Sequence, residues 1–115
     1  MTEKESSFAC DMTAIPVDRR GAHVDNIKQL FSAVENFREL TNGYTFRLPN
    51  ESRVLVTAAE FIALERLCCP FFGFELEIER EGGAMWLSLT GREGVKPFIM
   101  AEIREFLPTT IHIEK

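Results

Sequence analysis

Cys68 and Cys69 are adjacent at the end of a strongly apolar run, Pro70 follows them, and Glu65 stands one helical turn upstream on the same side. No other stretch of the chain puts reactive groups so close together. Neighbouring Cα atoms lie about 3.8 Å apart, below the roughly 4.4–6.8 Å that a disulfide spans. A Cys68–Cys69 bond would be strained, so the pair is expected as reduced thiols. Vicinal thiolates suit soft, low-coordinate ions such as Hg(II), Cu(I) or As(III), or they react directly as thiols. Cys10 can supply a third sulfur, and Glu65 and His23 can supply further donors. The resulting metal set is Cys10, Glu65, Cys68, Cys69 and His23, with a thiophilic ion as the only cofactor implied. A structural zinc site is less well matched, because its cysteines are usually spaced by two to four residues in paired knuckles.

Glu65 has Phe61 and Ile62 behind it and the thiols ahead. A carboxylate in such company must pair with a cation, take up a proton or help bind a metal. Arg66 points about 100° away on a helix, which leaves Arg19, Arg20, Arg47 and Lys96 as candidate partners. Plainer readings stand beside these. Free cysteine often behaves as a small buried hydrophobe, so all three thiols can be core residues. Glu65 can be a structural ion-pair partner, or an acid–base group in a Phe-lined pocket. His23 is expected on an exposed or helix-facing position, and His112, near the end of the chain, is assigned no role.

A second locus is the run Leu-Thr-Gly-Arg-Glu-Gly-Val-Lys over residues 89–96. Strand, glycines, helix start and lysine can hold an anion on backbone N–H groups, with Gly91, Gly94 and Lys96 as the binding residues. It lacks the Gly-Lys-Ser/Thr ending of a phosphate-binding P-loop, and an ordinary capped strand-to-helix turn explains it better. No nucleophile–His–acid arrangement, dinucleotide fingerprint or nucleic-acid motif is present.

The elements that must position these residues read as follows. Residues 1–6 are polar and expected to fray. Residues 7–15 alternate as a first strand carrying Phe8, Cys10 and Met12 on one face. Pro16 and Asp18 open a helix with a stripe of Val24, Ile27, Leu30, Phe31 and Val34. Asn42-Gly43 between two alternating runs predicts a hairpin through positive φ, with Tyr44, Phe46 and Leu48 on one face. Asn50 or Ser52 can cap a second helix over residues 52–68, apolar around most of its circumference and stopped by Pro70. Phe72, Phe74, Leu76 and Ile78 alternate with Gly73, Glu75, Glu77 and Glu79 as a strand with one acidic face. A Gly82-Gly83 turn leads to a strand at 85–89, and Thr90 and Glu93 have capping-box spacing for a third helix. Pro97 requires that helix to begin near Glu93 or Gly94, or to kink there. Ile111 and Ile113 suggest a short edge strand.

The order β-α-β-β-α-β-β-α gives an α+β fold, a mainly antiparallel sheet with helices packed on one face. Its last two hairpin–helix units match in pattern, which implies a pseudo-twofold arrangement. The 115 residues fit one domain. A formal net charge of -5 argues against a basic nucleic-acid or membrane-binding face. The start lacks the basic and apolar regions of a signal peptide, and 3 cysteines fit a reducing compartment better than a disulfide framework, so a cytoplasmic protein is expected. The apolar second helix and the 10 phenylalanines also fit a non-enzymatic interaction module, as a homodimer.

Glu-Arg-Leu-Cys-Cys-Pro-Phe at 65–71, followed by Leu-Ser-Leu-Thr-Gly-Arg-Glu-Gly-Val-Lys at 87–96, resembles a family of small, uncharacterised bacterial proteins. These pair a Glu-Arg-x-Cys-Cys-Pro-Phe block with a later Leu-Thr-Gly-x-Glu-Gly-x-Lys block. The similarity runs from about Phe8, through Cys10, Arg19, Arg20 and His23, to about Leu107. Where that pattern has proline after Thr-Gly, Arg92 stands here and a proline stands at Pro97 instead. The resemblance implies a shared fold and a site at the double cysteine, and no particular reaction.

Overall fold

The computed structural model describes residues 8–111 and the backbone at 113 and 114. The expected fray at 1–6, the start of the predicted first strand at Ser7, and His112 lie outside these residues. Three helices, α1 (Arg20–Ser32), α2 (Ser52–Cys68) and α3 (Val95–Ile103), accompany five strands: β1 (Asn36–Leu40), β2 (Gly43–Leu48), β3 (Gly73–Ile78), β4 (Met85–Thr90) and β5 (Ile113–Glu114). The sheet order is β3-β4-β2-β1-β5. All pairings are antiparallel except that of β5 along the edge of β1. The α+β class and the helix-and-strand order from residue 20 onward follow the sequence reading.

Alternation puts Phe46, Leu87 and Leu76 in register across three strands, with Tyr44, Leu89 and Phe74 beside them. The helices cover this face. Phe31 of α1 meets Phe46 edge-on at 5.4 Å, and Phe61 of α2 meets Phe31 at 5.4 Å and Phe74 at 6.2 Å. Each fully buried phenylalanine contributes about 1.5–3 kcal/mol. The opposite face is mostly polar, with Trp86 covered by Arg38 at 4.4 Å. The central antiparallel pair β2–β4, flanked by β1 and β3, is what a pseudo-twofold of two hairpin units requires. Among the described residues, no helix is long and apolar enough to cross a membrane.

Several local expectations need correction. Residues 8–15 form no strand. Asp11 caps a 3-10 turn at Met12–Ala14 through its side chain, a second turn at Val17–Arg19 leads into α1, and local side-chain bonding wins over alternation. On α1 the inward positions go to His23, Leu30 and Phe31, while Val24 is exposed. The Asn42-Gly43 hairpin forms without positive φ at either residue. Gly43 is needed for another reason, because a Cβ there would strike the Leu89 carbonyl of β4. Glu51 occupies the N-cap of α2 with no side-chain bond, and Asn50 instead donates to the Gly83 carbonyl at 2.7 Å. Gly94, at φ 97°, precedes α3. Pro97 thus falls in the first turn, where its missing N–H costs no helical bond.

Candidate functional site

The buried stripe of α2 runs Ala58, Phe61, Leu64, Glu65, Cys68. Spacings of three and four carry a carboxyl into the core along with the apolar side chains. Pro70 then forces Cys69 out of helical geometry, to φ -129° and ψ 69°. The Cys69 N–H still closes the helix on the Glu65 carbonyl at 2.7 Å. The kink leaves the two sulfurs on one side, 3.5 Å apart.

Cys10 reaches them on the segment that crosses the end of α2. That segment is held by the Asp11 N–H donating to the Cys68 carbonyl at 2.9 Å, by Phe8 against Phe71 at 5.3 Å, and by the fully buried Ile15. Cys10 and Cys69 form a disulfide with Cα atoms 4.8 Å apart, and Cys68 remains a free, buried thiol. This corrects the expectation of three reduced thiols. Adjacent cysteines cannot pair comfortably with each other, but a third segment within reach satisfies disulfide geometry with one of them.

One ligand atom from each of Cys10, Glu65, Cys68 and Cys69 lies within 4.8 Å of every other. His23, expected on a more open position, is fully buried and stacks on Phe61 at 5.9 Å. Its Nε2–H donates to Glu65 Oε1 at 2.8 Å, so it orients a candidate ligand and stands outside the donor set. It takes the place expected for a basic side chain. Arg47 pairs with Glu35, Lys96 with Glu39, and Arg20 donates to the Ile15 carbonyl.

Glu102 was not singled out from the sequence, although an acidic residue among Phe98, Ile99, Met100, Ala101 and Ile103 was the available signal. From α3 its Oε2 lies 3.2 Å from Cys10 Sγ and 4.0 Å from Cys69 Sγ, and its Oε1 is buried without a hydrogen-bond partner. Burial, then the negative charge of Glu65 and a hydrogen bond with it, push the Glu102 carboxyl up to about 8. A disulfide sulfur carries no hydrogen, so a protonated Glu102 is the donor that fits its contact with Cys10. Burial, reinforced by Glu65 and Glu102, likewise pushes the Cys68 thiol up to about 12. Held so firmly as a thiol, Cys68 is a poor nucleophile at neutral pH.

The anion locus is assembled but occupied from within. Gly91, Gly94 and Lys96 line one cleft of about 600 Å³. Lys96 Nζ, however, donates to Glu39 at 2.5 Å and to the Leu40 carbonyl at 2.8 Å, and the Gly91 N–H donates to Asn42. None of the residues lining this cleft belongs to the thiol cluster.

No family model, curated protein or solved structure matches the chain.

Proposed function

We propose that the reduced protein binds a thiophilic metal ion through Cys10, Cys68, Cys69 and Glu65, and that the Cys10–Cys69 disulfide is the closed form of that site. The observation that carries this reading is the convergence of four donor atoms, from α2 and the segment crossing its end, within 4.8 Å of one another. Metal–sulfur bonds of about 2.3 Å in a tetrahedron set sulfur–sulfur edges near 3.8 Å and sulfur–oxygen edges near 3.5 Å. Cys68 stands 3.5 Å from Cys69 and 3.6 Å from Glu65, close to such edges, so opening the disulfide is the main adjustment required.

Electrostatics supports a cation. Three sulfurs and two carboxyls meet in one largely buried cluster, and burial together with the neighbouring carboxyls makes Cys68 and Glu102 keep their protons. A metal ion inverts that balance and deprotonates a coordinating thiol outright. The raised Cys68 thiol favours coordination over direct thiol reactivity for the same reason.

Titration of the reduced protein with Hg(II) or Cu(I), against Cys10→Ser, Cys68→Ser and Cys69→Ser, tests the proposal. Tight one-to-one binding lost on substitution is expected. Absence of binding, or binding that survives the substitutions at Cys68 and Cys69, overturns it. One observation favours a second reading: Cys68 and Cys69 are 1% and 0% exposed and belong to the hydrophobic core. In that reading the disulfide is a staple in an interaction module. Failed metal binding together with a strongly stabilising disulfide would favour it.

A further inference from the structure

Resting on the metal reading above, we propose that Glu102 is a fifth donor and sets the metal preference, favouring a divalent, borderline-soft cation of the Cd(II) or Zn(II) kind over Cu(I). The four-donor cluster draws on two parts of the chain, the segment bearing Cys10 and the end of α2. Glu102 comes from a third, α3, and stands against the sulfur pair with Oε2 at 3.2 Å from Cys10 and 4.0 Å from Cys69. Both distances are of the size of ligand–ligand edges around one ion. Its Oε1 is buried and accepts no hydrogen bond. A buried carboxyl oxygen without a partner is costly, and a metal ion that displaces the carboxyl proton is a partner that satisfies it. Flanking Ile99 and Ile103 are buried in the core, which holds the backbone of this turn in place.

Selectivity follows from donor type and charge. Cu(I) is satisfied by two or three sulfurs and gains little from carboxylate oxygen, whereas Zn(II) and Cd(II) accept sulfur and oxygen together in four- or five-coordinate shells. Five acidic donors in a weakly screened volume also leave less uncompensated negative charge around a dication than around a monocation. Glu65, held by His23, and Glu102 from α3 would then contribute oxygen, and the three cysteines sulfur.

The test measures Cd(II) and Cu(I) affinities of the fully reduced protein by chelator competition, for the wild type and for Glu102→Gln. Loss of a site partner of this kind typically weakens metal affinity by about 10- to 100-fold. That loss is expected for Cd(II), with Cu(I) changed by less than about threefold. In parallel, the cadmium NMR resonance should move toward that of an all-sulfur shell in Glu102→Gln. Unchanged Cd(II) affinity, or an equal loss for both ions, overturns the role of Glu102 while leaving the thiol site standing. If the wild type binds neither ion, the site itself is refuted and this inference with it. If Glu102→Gln fails to fold by circular dichroism, Glu102→Asp, which keeps the charge but shortens the reach, should show the same selective loss of Cd(II). An equal or absent effect in that variant again overturns the proposal.

Discussion

Removing one sulfur at the chain crossing gives a test of the structure that needs no ligand. Cys10 and Cys69 are separated by 59 positions, and their bond closes a loop containing all of α1, β1, β2 and α2. In the chain-entropy account, closing a loop of that length removes about 14 cal/mol/K from the unfolded ensemble, or about 4 kcal/mol at 25 °C. The native packing around Cys10 does not depend on the bond. Phe8 still meets Phe71, Asp11 still donates to the Cys68 carbonyl, and Ile15 remains buried. Cys10→Ser should therefore fold and lose stability mainly through its looser unfolded state. With a urea m-value of about 2 kcal/mol/M, the midpoint should fall by roughly 2 M. Fluorescence of Trp86, the single tryptophan and a buried one, can follow the transition. Reductant should lower the wild-type midpoint by a similar amount and leave Cys10→Ser unmoved, while Cys68→Ser should stay sensitive to reductant. A wild-type midpoint indifferent to reductant, or sensitivity abolished by Cys68→Ser, would refute the pairing and the reasoning built on it.

Four further outcomes are expected. Because the folded state holds the Glu102 proton up to about 8, against 4.5 ordinarily, Glu102 contributes stability that is fully present below 4.5 and lost as pH rises through 8. That contribution is on the order of a few kcal/mol, and urea midpoints across this range should lose part of their slope in Glu102→Gln. His23→Ala strips the buried Glu65 carboxyl of its 2.8 Å donor and should cost about 3 kcal/mol or more in the same unfolding assay. Oxidation by a low-molecular-weight disulfide, which takes the two thiol hydrogens and is itself reduced to two thiols, should abolish metal binding in equilibrium dialysis. Binding to the reduced form should release at least one proton, measurable in weakly buffered solution, because Cys68 holds its hydrogen up to about 12.

Periodicity carried the regular elements and failed where side chains bond locally. The apolar circumference of about residues 52–68 and the stop at Pro70 matched α2, Ser52–Cys68. The alternation at 72–78 and 85–89 gave the β3–β4 hairpin. Residues 8–15 alternate just as well, yet Asp11 accepts the Thr13 N–H and curls the chain into a turn. A strand also needs a neighbour, and alternation says nothing about whether one is available. On α1 the stripe held at Leu30 and Phe31, but its first position went to His23 in place of Val24, because a histidine paired with a buried carboxyl is as acceptable inside as valine.

The chain's own sequence determined that Glu65, Cys68 and Cys69 would lie together, since helical spacing and a proline stop are local facts. It also determined that Cys68 and Cys69 would not bond to each other, because adjacent Cα atoms are too close. Which cysteine joins Cys10, that His23 rather than an arginine meets Glu65, and that Glu102 reaches Cys10 were decided only by tertiary structure. Those contacts span 59, 42 and 92 positions of chain, and their geometry depends on how α1, α2 and α3 settle against one sheet. Nothing in local spacing encodes that packing.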